Sequence, residues 1–350
     1  MSQNRQIPRF VALASIALLL VGCGTGPTEG SASSTGEPVS DGEFTLYSGR
    51  SESLVQPLID MFEKQSGISV EVRYGDTAEL GALLLEEGER SPAQAFLSQD
   101  AGALGALAEA DLFATLPTEI TDRVAAGFTS TDDSWVGVTG RARAIVFDSE
   151  ALSADQIPAS VEAFAAPEWS GRLAIAPTNA SFQSFITAYR VLEGEAAADE
   201  WVAAIAANDP QLFENNGAIL TAVNSGVVDA GLINHYYWYR LASETGSAQM
   251  RAQLSFPRAG DAGSIVNVTG AGLLRSAATD ADALKFIDFL VSRDAQQYFV
   301  DETFEYPLIA EVAAPEGLPR LDTLVNEELD LADLQSLELT QALLAMHGLI

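Results

Sequence analysis

The chain has few residues of the kinds that most often carry enzyme or metal chemistry. Cys23 is the one cysteine among 350 residues, and His235 and His347 are the two histidines. Disulfides within the chain and thiolate metal sites are therefore excluded, and no metal site based on histidine is available. G-x-S-x-G, H-E-x-x-H and P-loop motifs are absent from the sequence. We therefore do not expect an enzyme.

Positive charge is also scarce. The chain has 18 lysines and arginines against 49 aspartates and glutamates, and its net charge is −31. Nucleic acid is therefore not an expected partner, because binding it requires basic surface. Acidity of this degree favours solubility and attracts cations to the surface. It points towards a cationic ligand without identifying one.

No apolar run is long enough to span a bilayer. The apolar segment 10–21 is too short for that, and it follows two positive residues, Arg5 and Arg9. Leu20-Val21-Gly22-Cys23 then resembles the lipobox of bacterial lipoproteins. We interpret 1–22 as a lipoprotein signal peptide and Cys23 as the lipidated residue, anchored at the extracytoplasmic face of the cell membrane. The alternative is a free signal peptide followed by a chance cysteine.

Residues 23–41 are predicted to form a flexible tether, because glycine, serine, threonine, proline and glutamate dominate them. The folded part is expected to begin at residue 42. Its length of roughly 310 residues favours two domains or lobes over a single core.

The first part of the folded chain alternates strand and helix patterns. Residues 43–47, 68–72 and 95–97 are predicted strands, and each is followed by an amphipathic helix. Asp76 and Asp100 are predicted N-caps of the second and third helices. The pattern predicts an α/β fold with a largely parallel sheet. In such sheets ligands collect at the loops that follow the strands.

A second α/β stretch contains a loop suited to anions. A strand at 173–176 leads into 177–182, just before a predicted helix. Asn179 and Ser181 are suited to cap that helix, and backbone N–H groups at its start would cradle an anion. An ordinary N-cap is the alternative.

An aromatic cluster follows the predicted strand 228–233. Its sequence is Asn234-His235-Tyr236-Tyr237-Trp238-Tyr239-Arg240. Consecutive side chains of a helix fan out by about 100°, so some of these rings must face outward. Tyr236 and Tyr237 stand where α/β sheets bind ligands. The alternative is that the cluster only packs the lobe.

Several separated motifs resemble the ferric-iron-binding proteins of bacterial ABC transporters. They are Tyr47-Ser48-Gly49-Arg50, Arg73-Tyr74-Gly75-Asp76, Glu87-Gly88-Glu89-Arg90-Ser91-Pro92-Ala93, Asn234-His235-Tyr236-Tyr237-Trp238 and Thr269-Gly270-Ala271-Gly272. The resemblance runs in order over 44–307. It implies the two-lobed periplasmic-binding-protein fold (type II) with two crossover segments and a ligand cleft between the lobes. Lobe 1 would comprise 42–140 and 267–317, and lobe 2 would comprise 141–266 and 318–350.

The resemblance implies that Tyr236 and Tyr237 bind Fe³⁺ as phenolates. The chemistry fits, because Fe³⁺ is a hard cation that prefers anionic oxygen. A phenol with a pKa near 10 ionises at neutral pH only beside such a charge. A helix N-terminus would favour the phenolate further.

The chain departs from the family at two places in lobe 1. Arg50-Ser51-Glu52 stands where the family has a histidine or tyrosine ligand, and Ser98-Gln99-Asp100 stands where it often has a glutamate. Glu52 is a candidate replacement ligand, and the alternative role is that of a first-turn helix acid. Gln99 would be a poor ligand because it is neutral. Tyr74 is a further oxygen donor near the cleft, ranked below Glu52.

The resemblance also implies a synergistic anion, which would be carbonate, phosphate or citrate. Its site would comprise Asn179, Ala180 and Ser181, with Asn216 and Asn234 approaching it. Arg50 and Arg141, or Arg143 beside it, would add positive charge. The alternative is that these arginines pair with neighbouring carboxylates.

We therefore expect a monomeric, lipid-anchored substrate-binding protein of an iron(III) ABC importer. It would capture Fe³⁺ with the anion, close its lobes by a hinge motion and deliver the iron to a permease in the cytoplasmic membrane. The main alternative is the same fold with another ligand, such as an oxyanion, a polyamine, an iron chelate or a sugar.

Overall fold

The computed structural model describes residues 39–125, 127–326 and 329–350. The predicted signal peptide, Cys23 and nearly all of the predicted tether lie outside the described residues. None of the helices found within these ranges combines the length and the apolar character needed to cross a membrane.

Strands and helices alternate along the described chain. The strands are β1 (Glu43–Ser48), β2 (Ser69–Tyr74), β3 (Ala95–Ser98), β4 (Val136–Asp148), β5 (Leu173–Ile175), β6 (Gln211–Leu212), β7 (Ala230–Asn234), β8 (Ala252–Ser255), β9 (Val266–Leu273) and β10 (Tyr306–Pro307). The α-helices are α1 (Glu52–Ser66), α2 (Thr77–Glu87), α3 (Ala101–Glu109), α4 (Thr118–Thr121), α5 (Ala180–Glu193), α6 (Glu195–Ala207), α7 (Asn216–Asn224), α8 (His235–Thr245), α9 (Ala281–Leu290), α10 (Arg293–Tyr298) and α11 (Leu337–Met346).

The three strand–helix units predicted at the start of the fold are confirmed. Their helices begin and end at the residues that the sequence indicates. Asp76 accepts a hydrogen bond from Ala78 N at 2.8 Å, and Asp100 accepts one from Ala103 N at 3.4 Å. Gly67 ends α1 in the left-handed region, at φ 74°, which glycine adopts without strain. Because β1 runs parallel to β2 and β3, the loops that follow these three strands lie at one edge of the sheet.

The strands form one continuous path in the order β2-β1-β3-β9-β4-β7-β5-β6, and β8 and β10 also pair with β4. β1 is parallel to β2 and β3, and β5 is parallel to β6 and β7. β4 and β9 run antiparallel to each other.

Strand β4 belongs to both halves of this sheet. Its residues 136–142 pair with β9, whereas 143–147 pair with β7. The partner change between Ala142 and Arg143 divides the structure into two α/β lobes, which confirms the predicted fold class. The prediction of a largely parallel sheet is wrong, because β4 and β9 run antiparallel to the strands that they pair with. β4 and β9 cross between the lobes, and Arg141, Arg143 and Asn267 on these strands line the cavity there.

The first lobe is closed by aromatic packing between its first strand–helix unit and α9. Phe62 lies edge-on to Phe286 with 5.1 Å between ring centroids, and Phe44 lies 5.4 Å from Phe286. In the second lobe, Tyr189 of α5 stacks on Trp201 of α6 at 5.3 Å. Each such ring buries a large apolar area, so these clusters hold the helices on the sheet.

The C-terminal segment contacts both lobes. The turn Leu331–Gln335 lies so close to α3 that a Cβ added at Gly105 would stand 2.8 Å from Ala332 O. Helix α11 packs on α5 instead, where Thr340 Oγ1 lies 2.7 Å from Thr187 Oγ1. The sequence predicts all of 318–350 in lobe 2, whereas the structure places this turn against a helix of the first lobe.

Gly105→Ala is expected to lower the free energy of unfolding by about 1–3 kcal/mol, because the new Cβ would clash with Ala332 O. The matched control is Gly81→Ala in α2. A Cβ there would lie 3.7 Å from Ala103 Cβ, an ordinary contact, so the helix-favouring alanine should raise stability by up to about 1 kcal/mol. Urea denaturation of both variants makes the comparison. Equal effects would contradict a tight contact between α3 and the 331–335 turn.

Candidate metal and anion site

Two tyrosines lie side by side at the start of α8, directly after β7. Their rings stack with 4.5 Å between centroids and 27° between planes. Tyr236 is buried, at 7% exposure, and Tyr237 is half-buried. The change from extended backbone at Asn234 to helix at His235 brings both phenols to the N-terminal end of α8. Both tyrosines thus lie at the edge of the sheet where β7 ends.

Three arginines surround this pair. Arg50 follows β1, and Arg141 and Arg143 lie two residues apart on β4, so that they share one face of the strand. All three are almost fully buried, at 2 to 3% exposure. Their charges interact with Tyr236, and those of Arg50 and Arg143 also interact with Tyr237.

Arg50 pairs with a carboxylate on the segment that precedes β10. Its Nη2 donates to Glu305 Oε1 at 2.5 Å, and its Nη1 donates to Thr269 Oγ1 at 3.0 Å. The other Glu305 oxygen accepts a hydrogen bond from Thr139. Burial alone would raise the pKa of Glu305, but the Arg50 and Arg141 charges outweigh it and hold that pKa below its usual value. Glu305 is therefore ionised, and it neutralises one of the three arginines.

The other two arginines have mainly neutral hydrogen-bond partners. Arg141 Nη2 donates to Gln99 O and Val268 O. Arg143 Nη1 donates to Ser181 Oγ at 3.2 Å and to Asn234 Oδ1 at 3.4 Å. Burial lowers the pKa of Arg143 to about 9.

The buried charges do not balance within the described part of the chain. Asp100 lies near Arg141, but burial raises the pKa of Asp100 despite that arginine. The Nε atoms of Arg50, Arg141 and Arg143 have no hydrogen-bond partner among the described residues. Buried charge without a counter-charge costs free energy. The arrangement therefore favours anionic groups beside the arginines, either ionised phenols or an added oxyanion.

The predicted anion loop is assembled at the start of α5. Asn179 caps the helix, and its Oδ1 accepts hydrogen bonds from Ser181 N at 3.2 Å and Ser181 Oγ at 2.6 Å. Asn216 Nδ2 donates to Ser181 Oγ at 3.0 Å. Asn234 is joined to the loop through Arg143, which contacts both Asn234 and Ser181. Ala180, the first residue of α5, lies between Asn179 and Ser181 in the sequence and is half-buried.

The other oxygen donors proposed from the sequence lie apart from the tyrosine pair. Glu52 is exposed on the first turn of α1. The Tyr74 hydroxyl donates to Gln56 of α1 at 2.7 Å, so it faces that helix. Burial, aided by the charges of Glu52 and Asp60, raises the pKa of Tyr74 to about 12. In the described ranges, histidine, cysteine, aspartate and glutamate do not gather in a group of three that could hold a metal ion.

Two residues of the site were not singled out by sequence reasoning. Glu305 carries the carboxylate paired with Arg50, and the only signal for it is a single acid among the apolar residues of the 304–308 segment. His235 is fully buried, and burial lowers its pKa to about 4. Its Nδ1 accepts from Ala142 N at 3.1 Å, and its Nε2 lies 2.9 Å from Phe304 O. Both nitrogens therefore bind backbone.

Two lobes joined by two crossover strands, with polar loops facing each other across the cleft, define a solute-binding protein. Residues 92–325 match the family described as bacterial extracellular solute-binding protein. The chain is 32% identical over 309 residues to the major ferric iron-binding protein of Neisseria meningitidis serogroup B, covering 88% of this chain and 93% of that protein.

Solved structures agree with this match. Iron-bound HitA from Pseudomonas aeruginosa superposes with a TM-score of 0.81 at 30% identity, covering 87% of this chain and 99% of that chain. Trichodesmium IdiA (FutA) in complex with iron and citrate gives a TM-score of 0.77 at 27% identity, covering 88% and 100%. The chain belongs to the bacterial extracellular solute-binding protein family, and the relatives that it matches here are named for iron.

The metal-free protein is expected to lose stability as the pH falls from about 6.5 to about 4. His235 has a pKa of about 4 when folded, below the ordinary value of about 6.5. Between these values the unfolded chain binds more protons, so the free energy of unfolding decreases with falling pH, by about 3 kcal/mol in full. Denaturation curves at several pH values should show that the free energy of unfolding falls less with pH in His235→Gln than in the wild type. His347→Gln is the control and should behave like the wild type. If both variants lose as much stability as the wild type, His235 is not the group responsible.

Proposed function

We propose that this protein is the extracytoplasmic, lipid-anchored receptor of an iron(III) ABC importer. It would bind Fe³⁺ through the phenolates of Tyr236 and Tyr237, together with a synergistic anion, and present the iron to a membrane permease. The main support for this proposal is the stacked tyrosine pair, which lies beside buried arginines whose Nε atoms have no hydrogen-bond partner among the described residues. The names of the relatives support iron as the cargo.

The tyrosines would change their ionisation when iron binds. Burial, then the neighbouring Tyr237, raises the pKa of Tyr236, so its phenol is neutral in the metal-free protein. Fe³⁺ supplies the charge needed to displace the proton, and the nearby guanidinium groups stabilise the resulting phenolate. Iron capture would therefore release protons and would weaken as the pH falls.

The anion would complete the shell around the iron. Two phenolates leave Fe³⁺ with positive charge and with open coordination positions, and the arginines add further positive charge. Asn179, Ala180 and Ser181, with Asn216 and Asn234, form a polar loop at a helix N-terminus beside Arg143, which suits an oxyanion. Carbonate, phosphate and citrate all fit this chemistry, and one related structure is named for its citrate. Glu52 remains a weaker candidate, which would need to move from its exposed position.

Each single variant, Tyr236→Phe and Tyr237→Phe, is expected to weaken Fe³⁺ binding by at least about a hundredfold. Losing an outer partner of a metal ligand already costs about 10- to 100-fold, and here a ligand itself is lost. Ferric iron is added to the purified domain with bicarbonate, phosphate or citrate, and the visible phenolate-to-iron absorption is recorded. The double variant should lack the band with every anion.

Tyr239→Phe is the matched control, because Tyr239 lies on the same helix outside the stacked pair. It should keep both the band and the affinity. A wild-type protein without a band in any anion would refute the iron assignment. A full band in the double variant would refute the tyrosine ligands while leaving iron as the cargo.

Cys23→Ser is expected to abolish lipid attachment and to move the protein from the membrane fraction to the soluble extracytoplasmic fraction. Diacylglycerol is transferred to the cysteine thiol, which serine lacks. Metabolic labelling with a radioactive fatty acid, followed by cell fractionation, measures both effects. Ser31→Ala, in the same predicted tether, should leave labelling unchanged. Equal labelling of the wild type and Cys23→Ser would exclude Cys23 as the anchor.

A further inference from the structure

His235 stands directly before the tyrosine pair and is fully buried. Its Nδ1 accepts a hydrogen bond from Ala142 N at 3.1 Å. Its Nε2 lies 2.9 Å from Phe304 O, and because a carbonyl only accepts, Nε2 is the donor. Nδ1 also lies 3.3 Å from Ala142 O, but its shorter contact with Ala142 N and the contact of Nε2 with Phe304 O favour the neutral tautomer with its proton on Nε2. Histidine is a common metal ligand, but both nitrogens here are already bound to backbone.

The two backbone partners of His235 lie beside the charged groups of the site. Ala142 is the residue between Arg141 and Arg143 on β4. Phe304 directly precedes Glu305, whose carboxylate pairs with Arg50. The residue after His235 is Tyr236. One imidazole ring thus joins three chain segments, and each of them carries a charged or ionisable group into the cleft.

The ring also packs against aromatic side chains on two of these segments. It lies edge-on to the Tyr236 ring, at 5.9 Å and 88°, and 5.0 Å from the Tyr306 ring. Phe304 adopts a left-handed backbone conformation, with φ 58°, which a bulky residue avoids unless its surroundings impose it. His235 Nε2 contacts the carbonyl oxygen of this same residue.

We propose that His235 is a positioning residue of the iron site. It fixes the relative positions of Tyr236, the arginine-bearing part of strand β4 and Glu305, without touching the metal. The inference rests on the proposed iron-binding function and adds to it a determinant of how tightly the loaded cleft retains its cargo. A histidine that merely filled the core would affect stability alone.

Three substitutions of His235 test its hydrogen bonds with Ala142 and Phe304 separately. His235→Phe removes both while keeping a ring of similar size. His235→Asn keeps a polar group near the Nδ1 position, which faces Ala142, and His235→Gln keeps one near the Nε2 position, which faces Phe304. The matched control is Trp201→Phe, which removes one buried hydrogen bond to Val161 O, 3.0 Å long, within the second lobe.

The loaded proteins are mixed with excess EDTA, and the loss of the visible band is followed in time. We expect His235→Phe to lose iron about tenfold faster than the wild type or more, and its band to shift in wavelength. His235→Asn and His235→Gln should fall between the two. Trp201→Phe should keep the wild-type rate of iron loss and the wild-type absorption band, even if its melting temperature falls as much as that of the His235 variants. Wild-type rates and bands in all three His235 variants would overturn the proposal.

A metal-free measurement keeps this test separate from the iron assignment. Amide hydrogen exchange is compared at Ala142 and Glu305 in the wild type, the three His235 variants and Trp201→Phe. Exchange at both amides should be about tenfold faster in His235→Phe and unchanged in the control. Unchanged exchange in the His235 variants would overturn the positioning role. A wild type that binds no iron would refute the proposed function without affecting this comparison. If His235→Phe does not fold, the same comparison is made with His235→Asn and His235→Gln.

Discussion

Buried positive charge at the junction of the two lobes is the constraint on which the site depends. Arg50, Arg141 and Arg143 are all nearly inaccessible to solvent, while Glu305 is the one ion-paired carboxylate beside them in the described structure. Because charge buried in this way is costly unless it is compensated, the cleft favours negative groups. A cation enters such a place only together with anionic ligands. Under the proposed function, the metal and its anions would therefore enter together, and their charges would be balanced by the residues that line the cleft.

The same constraint makes tyrosine a suitable ligand. A carboxylate at position 236 would be drawn to the arginines in the empty protein, and the resulting ion pairs would compete with the metal. Burial raises the pKa of Tyr236, so its phenol stays neutral until a strong Lewis acid arrives. The exposed Glu52 contributes no buried negative charge. The empty cleft thus keeps its positive potential, and under the proposed function the phenols would acquire charge only when iron binds.

Local patterns made most of the fold predictable. Asp76 and Asp100 cap their helices, and strand and helix periods alternate as expected. The tyrosine pair was predicted from the motif Asn234-His235-Tyr236-Tyr237-Trp238. The ion pair between Arg50 and Glu305 joins residues 255 positions apart, and neither residue carries a local sign of the other. The contact of the 331–335 turn with α3 depends on small residues at Gly102 and Gly105, which read as ordinary helix positions. Such features become visible only when the chain is folded.

The pairing of β3 with the distant strand β9 has a consequence for biosynthesis. In the first lobe, Ser98 of β3 pairs with Gly270 of β9, and Gly140 of β4 pairs with Tyr306 of β10. As the chain emerges from the ribosome, β1, β2 and β3 are made long before the strands that flank them. The edge of β3 stays unpaired throughout that interval, and an unpaired edge invites association with other chains. Yield in the cell therefore depends on how quickly the remaining chain follows and on chaperones that cover this edge.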